Sequence, residues 1–124
     1  MSERRTQPRR YLRSYLQVLD RNTEKVSGHL VNITHGGVMM ISEEPISTDT
    51  SLRLRLILPE KFEGNDAIDI RSRSVWCHKD RFNPELYASG FRIERIHQPD
   101  DAFIERFIEK YCLHPANDTS RQIH

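Results

Sequence analysis

Two short segments carry side chains whose types and spacing suit an anionic ligand that contains bases. The first holds Arg9, Arg10 and Arg13. Guanidinium groups four positions apart can surround one multivalent anion, and each can also donate two hydrogen bonds to a guanine edge or lie flat on a purine. This segment is therefore suited to a multivalent anion and to a purine, although on its own it also fits an ordinary arginine-rich tail.

The second segment begins at Asn32, near the end of a predicted strand. Asn32 and Thr34 are two positions apart, so an extended strand offers their amide and hydroxyl on one face, as a base edge would need. Gly36 and Gly37 follow. They permit positive φ and carry no Cβ, so a ligand can approach the backbone closely. Taken alone, the segment could also be no more than a turn.

Catalytic and metal-binding patterns are missing from the sequence. The two cysteines, Cys77 and Cys112, and the six histidines are too scattered to predict a zinc site. There is no nucleophile elbow and no glycine-rich phosphate loop. We therefore expect no enzyme, no metal and no cofactor. Two isolated cysteines are typical of a reducing, cytoplasmic compartment.

Composition and charge narrow the class of protein further. The 124 residues, 36% hydrophobic and 30% charged, predict one small globular domain. No apolar run approaches the roughly 20 residues of a membrane helix, and no apolar segment follows the basic N-terminus as in a secretory signal. Residues 1–13 have a net charge of +4 and the other residues −3. A basic arm on an acidic body indicates an anionic partner but argues against a nucleic-acid duplex, and a merely solubilising tail is the alternative.

The elements that must position these residues are mostly strands. Alternation and turn residues predict six strands, at 11–19, 25–33, 38–41, 51–58, 67–77 and 86–96. The segment from Pro59 to Asp66 is predicted as a loop, and Lys79–Glu85 as the connection of a hairpin.

The last element has a helical period. Apolar residues at Phe103, Ile104, Phe107, Ile108 and Tyr111 form one stripe, which Asp100 and Asp101 precede and Pro115 follows. The fold class predicted is all-β, a six-stranded antiparallel barrel with a C-terminal helix. The domain would span residues 11–115, between a flexible basic arm at 1–10 and a frayed tail at 116–124.

The order and spacing of the two segments resemble the PilZ domain family, bacterial receptors for cyclic di-GMP. The family's RxxxR motif matches Arg9 and Arg13, and its (D/N)x(S/A)xxG motif, about twenty residues on, matches the segment from Asn32 to Gly37. The pairs Val75-Trp76 and Gly90-Phe91 look like its late-strand pattern. The resemblance covers roughly residues 8–112. Thr34 stands where the family usually has serine, and its extra methyl group puts the affinity in question more than the binding mode.

The resemblance implies cyclic di-GMP as the ligand and a role for each matching residue. Arg9 and Arg13 would hold phosphates and guanine edges, with Arg10 as a third cation. Asn32 and Thr34 would bond to a base, and the two glycines would let the turn close on the ligand. Trp76 would either stack on a base or anchor the core. His35 falls at a variable position and is predicted to be a solvent-facing turn residue.

A mechanism follows from these roles as a hypothesis. The arm would be mobile without ligand, would become ordered on binding, and would pass the signal to a separate effector protein. The oligomeric state expected is a monomer or a weak homodimer. Two alternatives remain open: an adaptor that keeps the fold without binding the ligand, and a small barrel that binds single-stranded RNA.

Overall fold

The computed structural model describes residues 10–34, 36–97 and 102–112, with side chains from Tyr15 onward. Six strands and one helix follow one another along the chain: β1 (Arg10–Asp20), β2 (Lys25–Ile33), β3 (Gly37–Ser42), β4 (Ser51–Phe62), β5 (Asn65–Lys79), β6 (Tyr87–Ile96) and α1 (Phe103–Tyr111). The predicted arm before Arg10, the tail at 116–124, and the residues Arg9, His35, Asp100, Asp101 and Pro115 lie outside these ranges.

The strands form a closed barrel in the order β1-β2-β3-β6-β5-β4, and every pair of neighbours is antiparallel. The closing pair is β1 with β4, where Val18 lies opposite Leu56. The predicted six-stranded antiparallel barrel with a C-terminal helix is therefore confirmed.

The barrel interior is filled by the residues that alternate along the strands. On β4, Leu54, Leu56 and Leu58 are buried, whereas Arg53 points outward. The apolar stripe of α1 completes this core, with Phe103, Ile104, Phe107 and Ile108 all buried. The 3.6-residue period of the stripe places all four side chains on one face, so the helix closes the core as predicted.

The segment from Pro59 to Asp66 is not the loop that the sequence predicted. Strand β4 continues to Phe62 and β5 begins at Asn65, so only Glu63 and Gly64 form the turn. Both have positive φ, 52° and 84°, as a tight hairpin turn of the mirror-image type requires. Pro59 cannot donate to the ladder, and the pairing of β4 with β5 is irregular between Ile57 and Phe62. The prediction was wrong because Pro59 and the irregular pairing interrupt the residue pattern by which a strand is recognised in the sequence.

The helix is fastened to that hairpin. The guanidinium of Arg106 donates to both carboxylate oxygens of Glu63, at 2.6 and 2.8 Å. The ring of Phe62 lies edge-on to those of Phe103 and Phe107, at centroid distances of 5.4 and 5.9 Å. The helix begins after Ala102 without a side-chain cap, so tertiary packing holds it in place.

Candidate functional site

The segment from Asn32 to Gly37 forms the connection between β2 and β3. The Thr34 hydroxyl accepts hydrogen bonds from the backbone N–H groups of Gly36 and Gly37, at 3.2 and 3.0 Å, and the Thr34 N–H donates to the Gly37 carbonyl at 2.8 Å. Both acceptor positions of the hydroxyl are thus used to shape the turn. The hydroxyl hydrogen in turn points to the Gly37 carbonyl, at a long 3.4 Å, so a base acceptor such as guanine O6 or N7 would have to replace that bond.

Gly37 is required for packing against a neighbouring strand. Its φ is not positive, so the conformational freedom of glycine is not used here. A Cβ at this position would lie 2.8 Å from the Phe91 carbonyl oxygen of β6. The Gly36 carbonyl accepts a hydrogen bond from the Ile93 N–H at 2.8 Å, which fixes the turn to β6 as well. The tightness of the β3–β6 contact, rather than backbone handedness, therefore explains this glycine.

Of the three predicted arginines, Arg10 and Arg13 belong to β1, and Arg9 lies just before the described residues. The backbone of Arg10 lies opposite Ile33, and Tyr11 lies opposite Asn32. The pairing of β1 with β2 is irregular beyond Tyr11, in the stretch that contains Arg13. The strand that carries the first motif therefore runs directly alongside the strand that carries the second.

A single cross-strand row joins the second motif to Trp76. Asn32 lies opposite Met39, Met39 opposite Gly90, and Gly90 opposite Trp76. Asn32 is only 3% exposed, and its amide donates to the Met39 sulfur at 3.4 Å. Since neighbouring strands are about 4.8 Å apart, the row brings Asn32 and Trp76, 44 positions apart in the sequence, to within about 15 Å on one outer face.

Trp76 lies outside the hydrophobic core, so it is not the core anchor that was one of its two predicted roles. Its indole rests on Gly90, where a Cβ would be 2.3 Å from Nε1. Its ring stacks on that of His78, with centroids 4.7 Å apart and planes inclined by 11°. Gly90 thus leaves room for the indole to lie on the sheet and present an aromatic surface.

A groove of about 810 Å³ opens over this surface. Its lining is largely apolar and comes from β1, β2, β3, β5, β6 and the β5–β6 loop: Tyr15, Val31, Met39, Ile41, Trp76, His78, Asp80, Arg81, Phe82, Leu86 and Ala88. Its volume falls within the range of about 300–1,000 Å³ that is usual for small-molecule sites.

The β5–β6 loop forms one rim of the groove. The Asp80 carboxylate accepts from the N–H groups of Phe82 and Asn83, at 3.1 and 2.9 Å, and the Asp80 N–H donates to the Leu86 carbonyl at 2.9 Å. These bonds define the loop and leave the Phe82 ring 88% exposed, with Arg81 5.7 Å from its centroid. The rim therefore adds a cation and a second aromatic face to the groove.

Of the predicted site residues, Trp76 lines the groove, Asn32 and Thr34 lie in strand β2 and the turn after it, and the other lining residues were not predicted. Tyr15 is 66% exposed, and its alternation with buried Leu16 was the available signal. Phe82 stands in a polar segment and was an aromatic residue without a core position. Val31 and Met39 had no signal, because only the register of β2 with β3 turns them toward the groove.

Neither cysteine forms part of a metal centre in the part of the chain that the structure describes. Within those ranges no three histidine, cysteine or acidic side chains converge as metal ligands. The Cys77 sulfur accepts from the Ile46 N–H at 3.4 Å, and Cys112 is buried in the core. In the same ranges no helix is long and apolar enough to cross a membrane.

The fold and the groove define a small six-stranded β-barrel with a ligand-sized depression on its outer wall. A model of the PilZ domain matches residues 3–110, and the chain belongs to the PilZ domain family. Among solved structures, an inhibitor of motility from Bacillus subtilis (MotI/DgrA) has a similar fold, with a TM-score of 0.65 and 21% identity. The match covers 88% of this chain and 51% of that one, so the present chain spans about half its length. A search of curated proteins finds no match.

Proposed function

We propose that this protein is a receptor that binds cyclic di-GMP on the outer face of the barrel and passes the signal to a partner protein. The observation that carries the proposal is the cross-strand row from Asn32 to Trp76, which joins the second motif to an aromatic surface beside a groove. Membership of the PilZ family supports the choice of ligand.

The chemistry of the groove suits a molecule with flat bases. Trp76 and His78 present stacked rings, and stacking of a base on an aromatic ring contributes about 1–3 kcal/mol. For the base edge, the Asn32 amide and the Thr34 hydroxyl exchange their long 3.4 Å bonds, to the Met39 sulfur and the Gly37 carbonyl, for bonds to the ligand. Gly36 and Gly37 leave the turn without side chains where the ligand passes.

The arginines supply the charge that the phosphates need. The ligand carries two negative charges, and residues 1–13 carry a net charge of +4. Arg9 and Arg13 hold phosphates and guanine edges, with Arg10 as a third cation. Because β1 runs beside β2, binding draws the arm over the groove. Ordering of the arm is the signal, and hydrogen exchange at residues 1–13 should slow when cyclic di-GMP is added.

The test is calorimetry with cyclic di-GMP on the wild type, on Arg9→Ala/Arg13→Ala, and on Arg4→Ala/Arg5→Ala. The last variant removes the same charge from the same arm outside the motif. We expect saturable binding near micromolar, about −8 kcal/mol, for the wild type. Two charge-assisted contacts at about 1.5–3 kcal/mol each predict more than a 100-fold loss in the motif variant and a small loss in the control.

If both variants lost the same affinity for cyclic di-GMP, the arm would attract the ligand only through its net charge, without specific contacts from Arg9 and Arg13. If the folded wild type did not bind cyclic di-GMP, the receptor proposal would be wrong. An adaptor that keeps the fold without binding the ligand would then be the better interpretation.

A further inference from the structure

The outer faces of β4, β5 and β6 carry a row of three arginines away from the groove. Arg53 lies directly opposite Arg71, and Arg71 directly opposite Arg95. All three are exposed. Side chains in such positions have Cβ atoms about 5 Å apart, and like charges directly opposite one another are destabilising. The fold therefore accepts an electrostatic cost at this row.

Arginines beside this row are neutralised. On one side, the Arg55 guanidinium donates to both oxygens of Asp69, at 2.8 and 3.0 Å, and Arg21 reaches the same carboxylate at 2.7 Å. On the other side, Arg73 pairs with Glu94 at 3.2 Å.

The row itself has no such compensation. Across the ranges that the structure describes, no ion pair or side-chain hydrogen bond involves Arg53, Arg71 or Arg95. Three guanidinium groups without an acidic partner in those ranges thus lie in one row, and the arginines on either side of the row are paired with carboxylates.

We propose that this arginine row (Arg53, Arg71 and Arg95) binds an acidic helix of a partner protein. Two interstrand spacings span about 9.6 Å, and seven residues of an α-helix rise about 10.5 Å. Carboxylates at positions i, i+4 and i+7 of a helix that crosses the strands therefore match the three guanidinium groups. Each planar guanidinium can donate two parallel hydrogen bonds to one carboxylate.

The flanks of the row favour a protein over a nucleic acid. Asp69 and Glu94 pair with the neighbouring arginines, so the unpaired positive charge is limited to the three arginines of the row. A nucleic acid that extended beyond the row would bring its phosphates close to these two carboxylates, which would repel them. The outward positions on β4 and β5 beside the row, at Ser51, Arg55, Asp69 and Arg73, hold no aromatic ring on which bases could stack. A short carboxylate stripe on a helix fits a bounded patch of this kind.

The experiment uses a labelled alanine-rich peptide of about 18 residues with Glu at i, i+4 and i+7, and a second peptide with Gln at those positions. Fluorescence anisotropy measures the binding of both to the wild type, to Arg71→Glu and to Lys61→Glu. Lys61 is exposed near the far end of β4, so its reversal changes the net charge equally away from the row. Both variants keep the basic arm, which therefore cannot account for a difference between them.

We expect the Glu peptide to bind the wild type at least 10-fold more tightly than the Gln peptide does. Arg71→Glu should lose at least 10-fold and Lys61→Glu less than 2-fold. Arg71→Glu should also match or exceed the wild-type melting temperature, because the new carboxylate lies between two arginines. Calorimetry with cyclic di-GMP should be the same for Arg71→Glu and the wild type, which separates this surface from the groove.

Equal binding of the two peptides, or equal binding of the Glu peptide by Arg71→Glu and the wild type, would overturn the proposal. A duplex oligonucleotide that binds more tightly than the Glu peptide at physiological salt, and is lost in Arg71→Glu, would assign the row to a phosphate backbone instead.

Discussion

Two aromatic surfaces of this barrel differ in whether the chain itself covers them. At the end of the barrel, Phe62, Phe103, Phe107 and Tyr111 form a cluster of edge-to-face and tilted rings with centroids 4.8–5.9 Å apart. This helix cluster is covered by the chain itself, and Phe107 is 0% exposed. On the outer wall, the stack of Trp76 on His78 faces an open groove.

The difference separates side chains that stabilise the fold from those free to bind a ligand. The helix cluster gains its energy from burial within the chain, so its three phenylalanine rings leave almost no surface for another molecule. The groove keeps its aromatic surface in contact with solvent, and that surface becomes buried only when something else enters. Mutations in the first region should therefore change the free energy of unfolding, and mutations in the second should change ligand affinity.

The largest effect is expected for Phe107→Ala. Removing a fully buried phenylalanine costs about 3–5 kcal/mol of folding free energy. Urea denaturation should show this loss. Phe107→Leu, which keeps most of the volume, should lose much less and should bind cyclic di-GMP as the wild type does.

Trp76→Ala should show the reverse pattern. We expect a loss of affinity for cyclic di-GMP of about 1–3 kcal/mol, roughly 5- to 150-fold, from the missing base stack. Calorimetry and denaturation on the same sample measure both quantities. A loss of stability as large as that of Phe107→Ala, with ligand affinity unchanged, would contradict the distinction between the two regions.

Gly90→Ala tests the support beneath the indole. The added Cβ would overlap Trp76 Nε1, so the ring must move off the sheet. Affinity for cyclic di-GMP should fall to about the level of Trp76→Ala, and the double variant should lose little more, because both changes remove the same stack. Additive losses in the double variant would mean that Gly90 acts independently of Trp76.

The smallest effect concerns the ion pairs of Asp69 with Arg55 and Arg21, which belong to neither aromatic region. The hydrogen bonds from Arg55, followed by the charges of Arg55 and Arg21, hold the pKa of Asp69 below its usual value. Such a carboxylate adds stability above its unfolded pKa of about 3.9, and this contribution disappears as the pH falls through the lower folded pKa.

Asp69→Asn should therefore be less stable than the wild type at neutral pH, by about 1 kcal/mol or less since the pair is partly exposed. The two proteins should converge in thermal denaturation near pH 2. The control is Asp66→Asn, which removes an exposed carboxylate that forms no ion pair with any residue in the described ranges. A gap between wild type and Asp69→Asn that stays constant down to pH 2 would contradict the role of its charge.

Much of the fold was predictable because burial follows periodicity. The alternation of Leu54, Leu56 and Leu58 predicted the inner face of β4, and the stripe of Phe103 and Phe107 predicted the helix that closes the barrel. The Glu63-Gly64 turn was missed because the stretch before it contains Pro59 and pairs irregularly. Two positive φ values, one of them at a glutamate, left little signal in the residue types.

The candidate site was predictable only where it coincides with a motif. The spacing of Asn32 and Thr34 drew attention to this segment, although the use of the Thr34 hydroxyl within the turn depends on backbone geometry that residue types do not encode. The position of Trp76 outside the core depends on the register of β5 with β6, which places it over Gly90. The arginine row depends likewise on strand pairing, since Arg53, Arg71 and Arg95 lie far apart in the sequence.

Because Trp76 is the only tryptophan of the chain, its fluorescence reports directly on whether cyclic di-GMP binds in the groove. Cyclic di-GMP is added with excitation selective for tryptophan, and GMP serves as the control. We expect saturable quenching by cyclic di-GMP, with the same affinity as calorimetry gives, and loss of this quenching in Arg9→Ala/Arg13→Ala. Saturable heat with unchanged Trp76 emission would contradict it, because the ligand would then bind away from the groove.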